Sequence, residues 1–511
     1  MTLFGRREAA PHRGYITVSV MLATIMQALD TTIANVALPH MQGALSATQD
    51  QISWVLTSYI VAAAIMTPPT GFFESRFGRK RLFLVAVGGF TLVSMLCGAA
   101  TSLEEMVLFR ALQGVFGAAL VPLSQTVLLD AYPHEQHGQA MAVWGMGIMV
   151  GPILGPTLGG YLTEFYSWRW VFYINLPVGI LAFLGVMAFV AETKTRKVSF
   201  DVLGFTFLSL GLGALQMFLD RGQLKDWFGS TEIIVESALG VFGLYAFVVH
   251  MFTTDKPFLS PAIFKDRNFV TGLLFIFIVG IILLATLALL PPFLQDLMGY
   301  PVLTTGYVLA PRGVGTLIAM IIVGRAITRL DPRLLILAGF LLAALSLYQM
   351  AGFTTDVTEW DLIWSGFIQG LGLGLIFVPL TTIAFATLDP KLRTEAAGLY
   401  SLMRNIGSSI GISVVTFLLA RFIQENHMDL AAHVTPVNPA FRSPGYPEMW
   451  NLATRTGRAA LDAEINVQAS TIAYLNDFKL MMYVMLFAVP LLIIMRRPKR
   501  RAPPVEEMVM E

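Results

Sequence analysis

Along this chain, runs of about twenty apolar residues alternate with short polar links. The runs cover approximately residues 15–38, 52–73, 82–102, 106–128, 138–161, 169–191, 202–220, 233–253, 268–290, 305–327, 332–353, 360–385, 399–420 and 475–495. A helix of about twenty residues, rising about 1.5 Å per residue, crosses about 30 Å of hydrocarbon. The pattern therefore predicts fourteen transmembrane helices and an all-α polytopic membrane protein. The first run follows Arg6, Arg7 and Arg13 as the core of a signal peptide would, but it is too long and lacks a small-residue cleavage site before the next run. It is expected to be retained as a span.

Composition supports this class. With 55% hydrophobic and 13% charged residues over 511 positions, there is too little polar surface to coat a soluble globule. The formal charge of +1 gives no support to nucleic-acid binding, and what informs is where the basic residues lie. With the N-terminus in the cytoplasm, inner loops and tails hold 23 of 34 Lys and Arg, short outer loops 3 and the long last outer loop 5; Arg110, Arg312 and Arg404 lie within spans. That asymmetry predicts both termini inside. The run Arg496, Arg497, Pro498, Lys499, Arg500, Arg501 then serves as an inner-surface anchor. The single cysteine, Cys97, excludes an intrachain disulfide or thiolate cluster and reads as a free core thiol.

Three internal echoes divide the spans. Gly71 to Lys80 is echoed weakly by Gly324 to Arg333, Gln113-Gly114 by Gln369-Gly370, and Gly151 and Gly155 by Gly407 and Gly411, all at offsets near 255 residues. Spans one to six thus match spans nine to fourteen in the same orientation. The expected division is a six-helix bundle over 1–191, two inserted helices over 192–265, a second six-helix bundle over 266–495 with a long outer loop at 421–474, and a cytoplasmic tail over 496–511. Parallel repeats around a central pathway are a transporter architecture.

Polar residues inside the spans carry the chemistry. Asp30, about 22 Å along the first helix from Tyr15, lies in the outer half of the membrane, where a charged carboxylate is costly without a partner or a function. It reads either as a proton-coupling or substrate-cation group, or as an acid held ionised by a structural arginine. Arg110 in span four lies at a compatible depth, and Arg312 lies about 10 Å into span ten from outside. Arg312 either lines the pathway or pairs with an acid such as Asp296. Of the intramembrane amides, Gln27, Gln113 and Gln369 are candidate substrate contacts, although such amides commonly bond between helices. Gly147, Gly151, Gly155 and Gly159 recur every fourth residue in span five, with Gly160, Pro152 and Pro156 beside them. They predict a side-chain-free, bendable stripe, expected to form a pliable seam between the halves, or else ordinary small-residue packing.

These segments carry a resemblance. Leu29-Asp30-Thr31-Thr32-Ile33-Ala34-Asn35-Val36-Ala37-Leu38-Pro39, Arg110-Ala111-Leu112-Gln113-Gly114, the span-five stripe ending Gly155-Pro156-x-x-Gly159-Gly160, and the loop Gly71 to Lys80 resemble the motifs of the major facilitator superfamily, specifically its fourteen-span drug:proton antiporters of the EmrB type. The resemblance covers almost the whole chain. It implies that spans one and four are neighbours, that Asp30 and Arg110 take part in proton transfer, and that the glycine-proline motif accompanies export. It also implies an inner-membrane multidrug efflux antiporter of amphipathic compounds, relevant to antibiotic resistance. A periplasmic adaptor and an outer-membrane channel would be its partners, with the last outer loop as a candidate docking site. The cytoplasmic loop keeps Gly71, Arg76, Gly78, Arg79 and Lys80 but has Ser75 where the motif has aspartate, so an acid-based latch there falls to Glu74, if to any residue.

Other classes fare less well. There is no P-loop, His-Glu-x-x-His pair, paired cysteines or serine nucleophile elbow, and the seven histidines form no metal-binding spacing. This weighs against ATP-driven transport and against an enzyme, and no metal or cofactor is expected. A channel is the rival, but a two-half repeat favours alternating access. Export of a specific endogenous lipid, siderophore or metabolite is the alternative within the transporter class.

Overall fold

The computed structural model describes residues 12–133, 136–195, 199–257, 259–327, 329–435, 438 and 448–496. Arg6, Arg7, the loop prolines Pro436, Pro439, Pro444 and Pro447, and the basic run beyond Arg496 lie outside these, as do the side chains of Pro152 and Pro156.

Among the described residues the chain is helical, with no strand. The principal helices are α1 (Arg13–Ala44), α2 (Trp54–Met66), α3 (Thr70–Phe77), α4 (Arg79–Ala99), α5 (Leu103–Gly117), α6 (Leu120–Ala131), α7 (His137–Phe165) and α8 (Asn175–Phe189). There follow α9 (Val202–Arg221), α10 (Thr231–Thr253), α11 (Arg267–Pro292), α12 (Val302–Ala326), α13 (Pro332–Met350), α14 (Glu359–Ala386), α15 (Arg393–Ala432) and α16 (Arg455–Ala488). Twelve helical stretches of the described residues are long and apolar enough to cross a membrane, thirteen if α2 and α3 count as one span bent by 58°. The bend falls at Pro68 and Pro69, which supply no backbone donor to hold the helix straight. The 29-residue α7 coincides with the fifth apolar run. Side-chain caps start several helices: Ser102 accepts from Glu105 N at α5, Asp266 from Phe269 N at α11, and Thr358 with Asp361 forms a capping box at α14.

The pairing of helices repeats. In the first half α1 packs on α7, α2 on α5 and α4 on α8; in the second α11 packs on α15, α12 on α14 and α13 on α16. Between the halves α7 lies against α12, while α3 and α6 meet α15. α9 and α10 pack on each other, and α9 also touches α2 and α15. Its contact with α15 is hydrogen-bonded, from Gln216 Nε2 to Ser409 Oγ at 2.8 Å and from Ser413 Oγ to the Leu219 carbonyl at 2.7 Å.

Among its described residues, the segment 421–474 is largely helix. α15 runs for 40 residues, about 60 Å, roughly twice the hydrocarbon thickness. Its far end pairs with the start of α16 through Asn426 Nδ2 to the Ala469 carbonyl, 3.3 Å, and His427 Nε2 to Asp462 Oδ1, 3.0 Å. α16 thus begins at Arg455, well before the fourteenth apolar run, and these ends of α15 and α16 pair as a hairpin.

Candidate functional site

Asp30 lies on the face of α1 enclosed by α2, α5 and α8, and its residue has no solvent-exposed surface. Each carboxylate oxygen is bonded. Oδ2 accepts from Arg110 Nη1 at 2.7 Å, and Oδ1 accepts from Gln113 Nε2 at 2.9 Å and from Asn175 Nδ2 at 3.0 Å. Arg110 is equally buried; its Nη1 also donates to Gln113 Oε1 at 2.6 Å and its Nε to the Val55 carbonyl at 3.1 Å. The guanidinium carbon sits 4.3 Å from the Tyr59 ring centroid and 5.7 Å from that of Phe172, so aromatic faces complete the cation's surroundings. The spacing of Arg110 and Gln113 on α5, three residues apart, sets both on one helical face toward α1.

Hydrocarbon disfavours both charges, and the pair is tolerable only because geometry and additional bonds satisfy it. Removing either partner of such a pair leaves a buried charge at a cost of about 3–5 kcal/mol.

The span-five glycines hold this site rather than the boundary between halves. A Cβ on Gly151 would strike the Ala28 carbonyl and lie 2.8 Å from Ala28 Cβ, one on Gly155 would strike Thr32 Oγ1, and one on Gly159 would lie 2.8 Å from Ile33 Cγ1. Gly147 meets Met21 in the same way. The stripe therefore seats α7 on α1 around Asp30, and Thr32 Oγ1 donates across the contact to the Gly151 carbonyl at 3.0 Å. The span itself does lie against the second half, through another face of α7, where Gly138 meets Ile327 and Gly145 meets Met320 of α12 and its flank. The reason is angular, because residues spaced by four share one face and that face is taken by α1.

The four candidate substrate contacts separate into two groups. Gln113 belongs to the Asp30 shell, and the half-buried Gln27 donates to Tyr59 Oη at 3.3 Å, next to Arg110. Gln369 donates to Thr286 Oγ1 at 3.2 Å, and Arg312 donates through Nη2 to the Leu283 carbonyl at 3.3 Å. The alternative pairing of Arg312 with Asp296 does not form among the described residues. Asn175, Ser94, Tyr59 and Phe172 were missed by sequence reasoning. Asn175 alone left a signal, as an isolated amide in an apolar span; Ser94 joins it, accepting from Asn175 Nδ2 at 3.0 Å. Cys97 is fully buried beside them, its thiol 3.5 Å from Gln113 Oε1. Maleimide is expected to leave Cys97 unlabelled in the folded protein and to label it fully after denaturation; prompt labelling of folded protein would show that the site is not sealed.

At the loop between α3 and α4, Glu74 does take up Arg79, at 2.5 Å, and Asp130 of α6 takes up Arg79 Nη1 at 2.7 Å. Asp130 also reaches Arg393 of α15 at 3.4 Å, so an acid links the halves here although Ser75 does not. Gly71 allows the approach, since a side chain there would lie 2.6 Å from Glu395 Cγ. Gly78 turns the chain at φ +91°, in the region that favours glycine, and Glu192 accepts from the Lys80 and Arg81 amides at the start of α4. Arg76 is exposed.

Comparison with known proteins accords with this architecture. Residues 20–412 match the Major Facilitator Superfamily. The chain is 38% identical over 427 residues to the multidrug export protein EmrB of Escherichia coli K12, covering 83% of each, and 38% identical over 424 residues to the fatty acid resistance protein FarB of Neisseria gonorrhoeae, covering 83% of this chain and 84% of the other. Among solved structures, the human organic anion transporter MFSD10 (TETRAN) aligns with a TM-score of 0.58 at 13% identity, over 93% of this chain and all of that one, a likeness of fold alone. With its repeated helix pairing and its match across most of its length to EmrB and FarB, the chain belongs to the Major Facilitator Superfamily and is an EmrB-like transporter within it.

Proposed function

We propose that this transporter expels amphipathic, largely apolar compounds from the bacterial cytoplasm in exchange for protons, and that Asp30 with Arg110 is the proton-handling pair. The observation that carries this reading is a carboxylate and a guanidinium, both fully buried and 2.7 Å apart, inside one helical half of a two-half membrane protein. Protonating Asp30 removes the attraction that holds α1 to α5, and the freed Arg110 retains Gln113, the Val55 carbonyl and the Tyr59 ring. The proton thus shifts the packing of α1, and α1 is wedged directly on α7, which in turn faces the second half across α12.

In this reading both termini are cytoplasmic, residues 1–191 and 266–495 are the two rocking bundles, and 192–265 is an insertion that rides on both. The α15–α16 hairpin is the surface offered to a periplasmic adaptor, through which an outer-membrane channel would be reached. Transport is the only activity we assign. Saturable, proton-dependent exchange in proteoliposomes tests the reading, and a steady ion current without proton coupling would replace it with a channel. Export of an endogenous acid lipid is the second reading, favoured by the similarity to a fatty acid resistance protein.

The link from Asp130 to Arg79 and Arg393 holds the cytoplasmic ends of the halves together in this arrangement. Asp130→Asn is expected to lower the efflux rate about fivefold, as suits loss of a partly exposed ion pair of ~1 kcal/mol, while substrate affinity stays unchanged. An unaltered rate in a transport assay would remove this link from the cycle.

A further inference from the structure

The two halves hold unequal versions of one site. At the offset of 256 that relates Gln113 to Gln369, Thr286 stands where Asp30 stands and Gly366 where Arg110 stands. The geometry follows the offset: Gln113 Nε2 donates to the Asp30 carboxylate at 2.9 Å, and Gln369 Nε2 donates to Thr286 Oγ1 at 3.2 Å. The space left by Gly366 borders Arg312 of α12, whose Cβ lies 3.8 Å from where a Gly366 Cβ would be. Arg312 itself matches Tyr59, since a side chain on Gly370 would strike the Arg312 carbonyl as one on Gly114 would strike that of Tyr59. In the second half, then, the cation comes from the neighbouring helix and the carboxylate has become a hydroxyl.

Arg312 is left incomplete. It is 7% exposed, its Nη1 has no acceptor, and the neighbouring Gln369 Oε1 has no donor. A guanidinium keeps its proton in proteins, so this is a buried cation without an anion, an arrangement that costs free energy until an anion arrives. A second buried group without hydrogen-bond partners is the carboxylate of Asp477 of α16, which lies four residues before Met481, the residue whose sulfur is 3.8 Å from Thr286 Oγ1.

We infer that Arg312, with Thr286 and Gln369, binds the carboxylate of a long-chain amphipathic acid, which occupies the place that Asp30 fills in the other half. This rests on the export reading, because it makes that acid a cargo. Arg offers a planar fork suited to a carboxylate, and charge-assisted bonds in a dry site are the strong ones. The site therefore discriminates by headgroup charge.

Binding and flux of two probes with the same tail, dodecanoate and dodecyltrimethylammonium, test this with the full-length purified protein. The wild type is expected to bind dodecanoate saturably, and Arg312→Gln to weaken it at least about tenfold, as suits loss of a charged bond, with dodecyltrimethylammonium unchanged. Thr286→Asp supplies the missing carboxylate internally and is expected to block dodecanoate while raising thermal stability. No saturable dodecanoate binding by the wild type, equal loss of both probes in Arg312→Gln, no loss of either, or undiminished dodecanoate binding by Thr286→Asp would each overturn the site. So would markedly tighter dodecanoate binding by Asp477→Asn, since Arg312 would then already have been paired with an internal acid in the wild type. Dodecanoate flux that is selective but independent of the proton gradient would overturn the export reading and leave the site supported.

Discussion

Asp30→Asn is expected to abolish proton-driven efflux while leaving substrate counterflow intact. Asparagine preserves the outline of the side chain and an oxygen for Arg110, so the variant resembles the protonated wild type, with α1 still packed on α7. What disappears is the charge: the site holds one state at every pH, and proton uptake no longer alters the packing of α1 against its neighbours. Counterflow exchanges labelled for unlabelled substrate with no net proton movement, so it needs rocking of the halves but not the carboxylate. The expected ratio of wild-type to variant proton-driven efflux is large, about a hundredfold or more, because a coupling step is lost rather than weakened; this corresponds to about 2.7 kcal/mol. Some loss of thermal stability accompanies it, since Arg110 keeps its charge with a poorer acceptor. Proton-driven efflux at the wild-type rate would remove Asp30 from the mechanism, and loss of counterflow as well would mean a purely structural role.

The second large effect comes from adding a single methyl group. Gly151→Ala places a Cβ against the carbonyl of Ala28, and neither backbone has a flexible end to move aside. α7 must therefore back away from α1 at the level of Asp30, opening a gap along a contact that also includes Gly147, Gly155 and Gly159. Overpacking of a well-packed contact costs about 1–3 kcal/mol and more where backbone is struck, so a sharply lowered melting temperature in detergent and efflux at background are expected. Gly160→Ala is the control, because nothing lies within 4 Å of its added Cβ. Equal stability of the two variants, measured side by side, would show that α1 and α7 are not locked together through this face.

Much of this was legible in the chain. Span positions follow from hydropathy because lipid admits no unpaired backbone, and the repeat follows from spacing alone. Depth put Asp30 and Arg110 in the same half of the membrane, but that spans one and four are neighbours came from the family resemblance and not from the residues alone. Contact partners were less legible. Gln113 has the composition of a cavity amide, yet its position one turn from Arg110 commits it to the carboxylate. The glycine stripe announces a close approach but not to which helix, because every face of a membrane helix is apolar. Asn175 and Ser94 meet only when spans six and three pack together, and Asp130 completes the loop network from another helix, contacts that no local motif encodes. Arg312 was visible as a charge in a span; its lack of an anion is a property of three helices and emerges only in the folded molecule.

The most direct measurement is of protons themselves. Purified wild-type protein and Asp30→Asn, each in weakly buffered detergent solution with a pH indicator, are mixed with an exported substrate. A proton released by the wild type on substrate binding, and none by Asp30→Asn, is the expected result. Equal release from both proteins would place the exchanged proton elsewhere and contradict the role given to the buried Asp30–Arg110 pair.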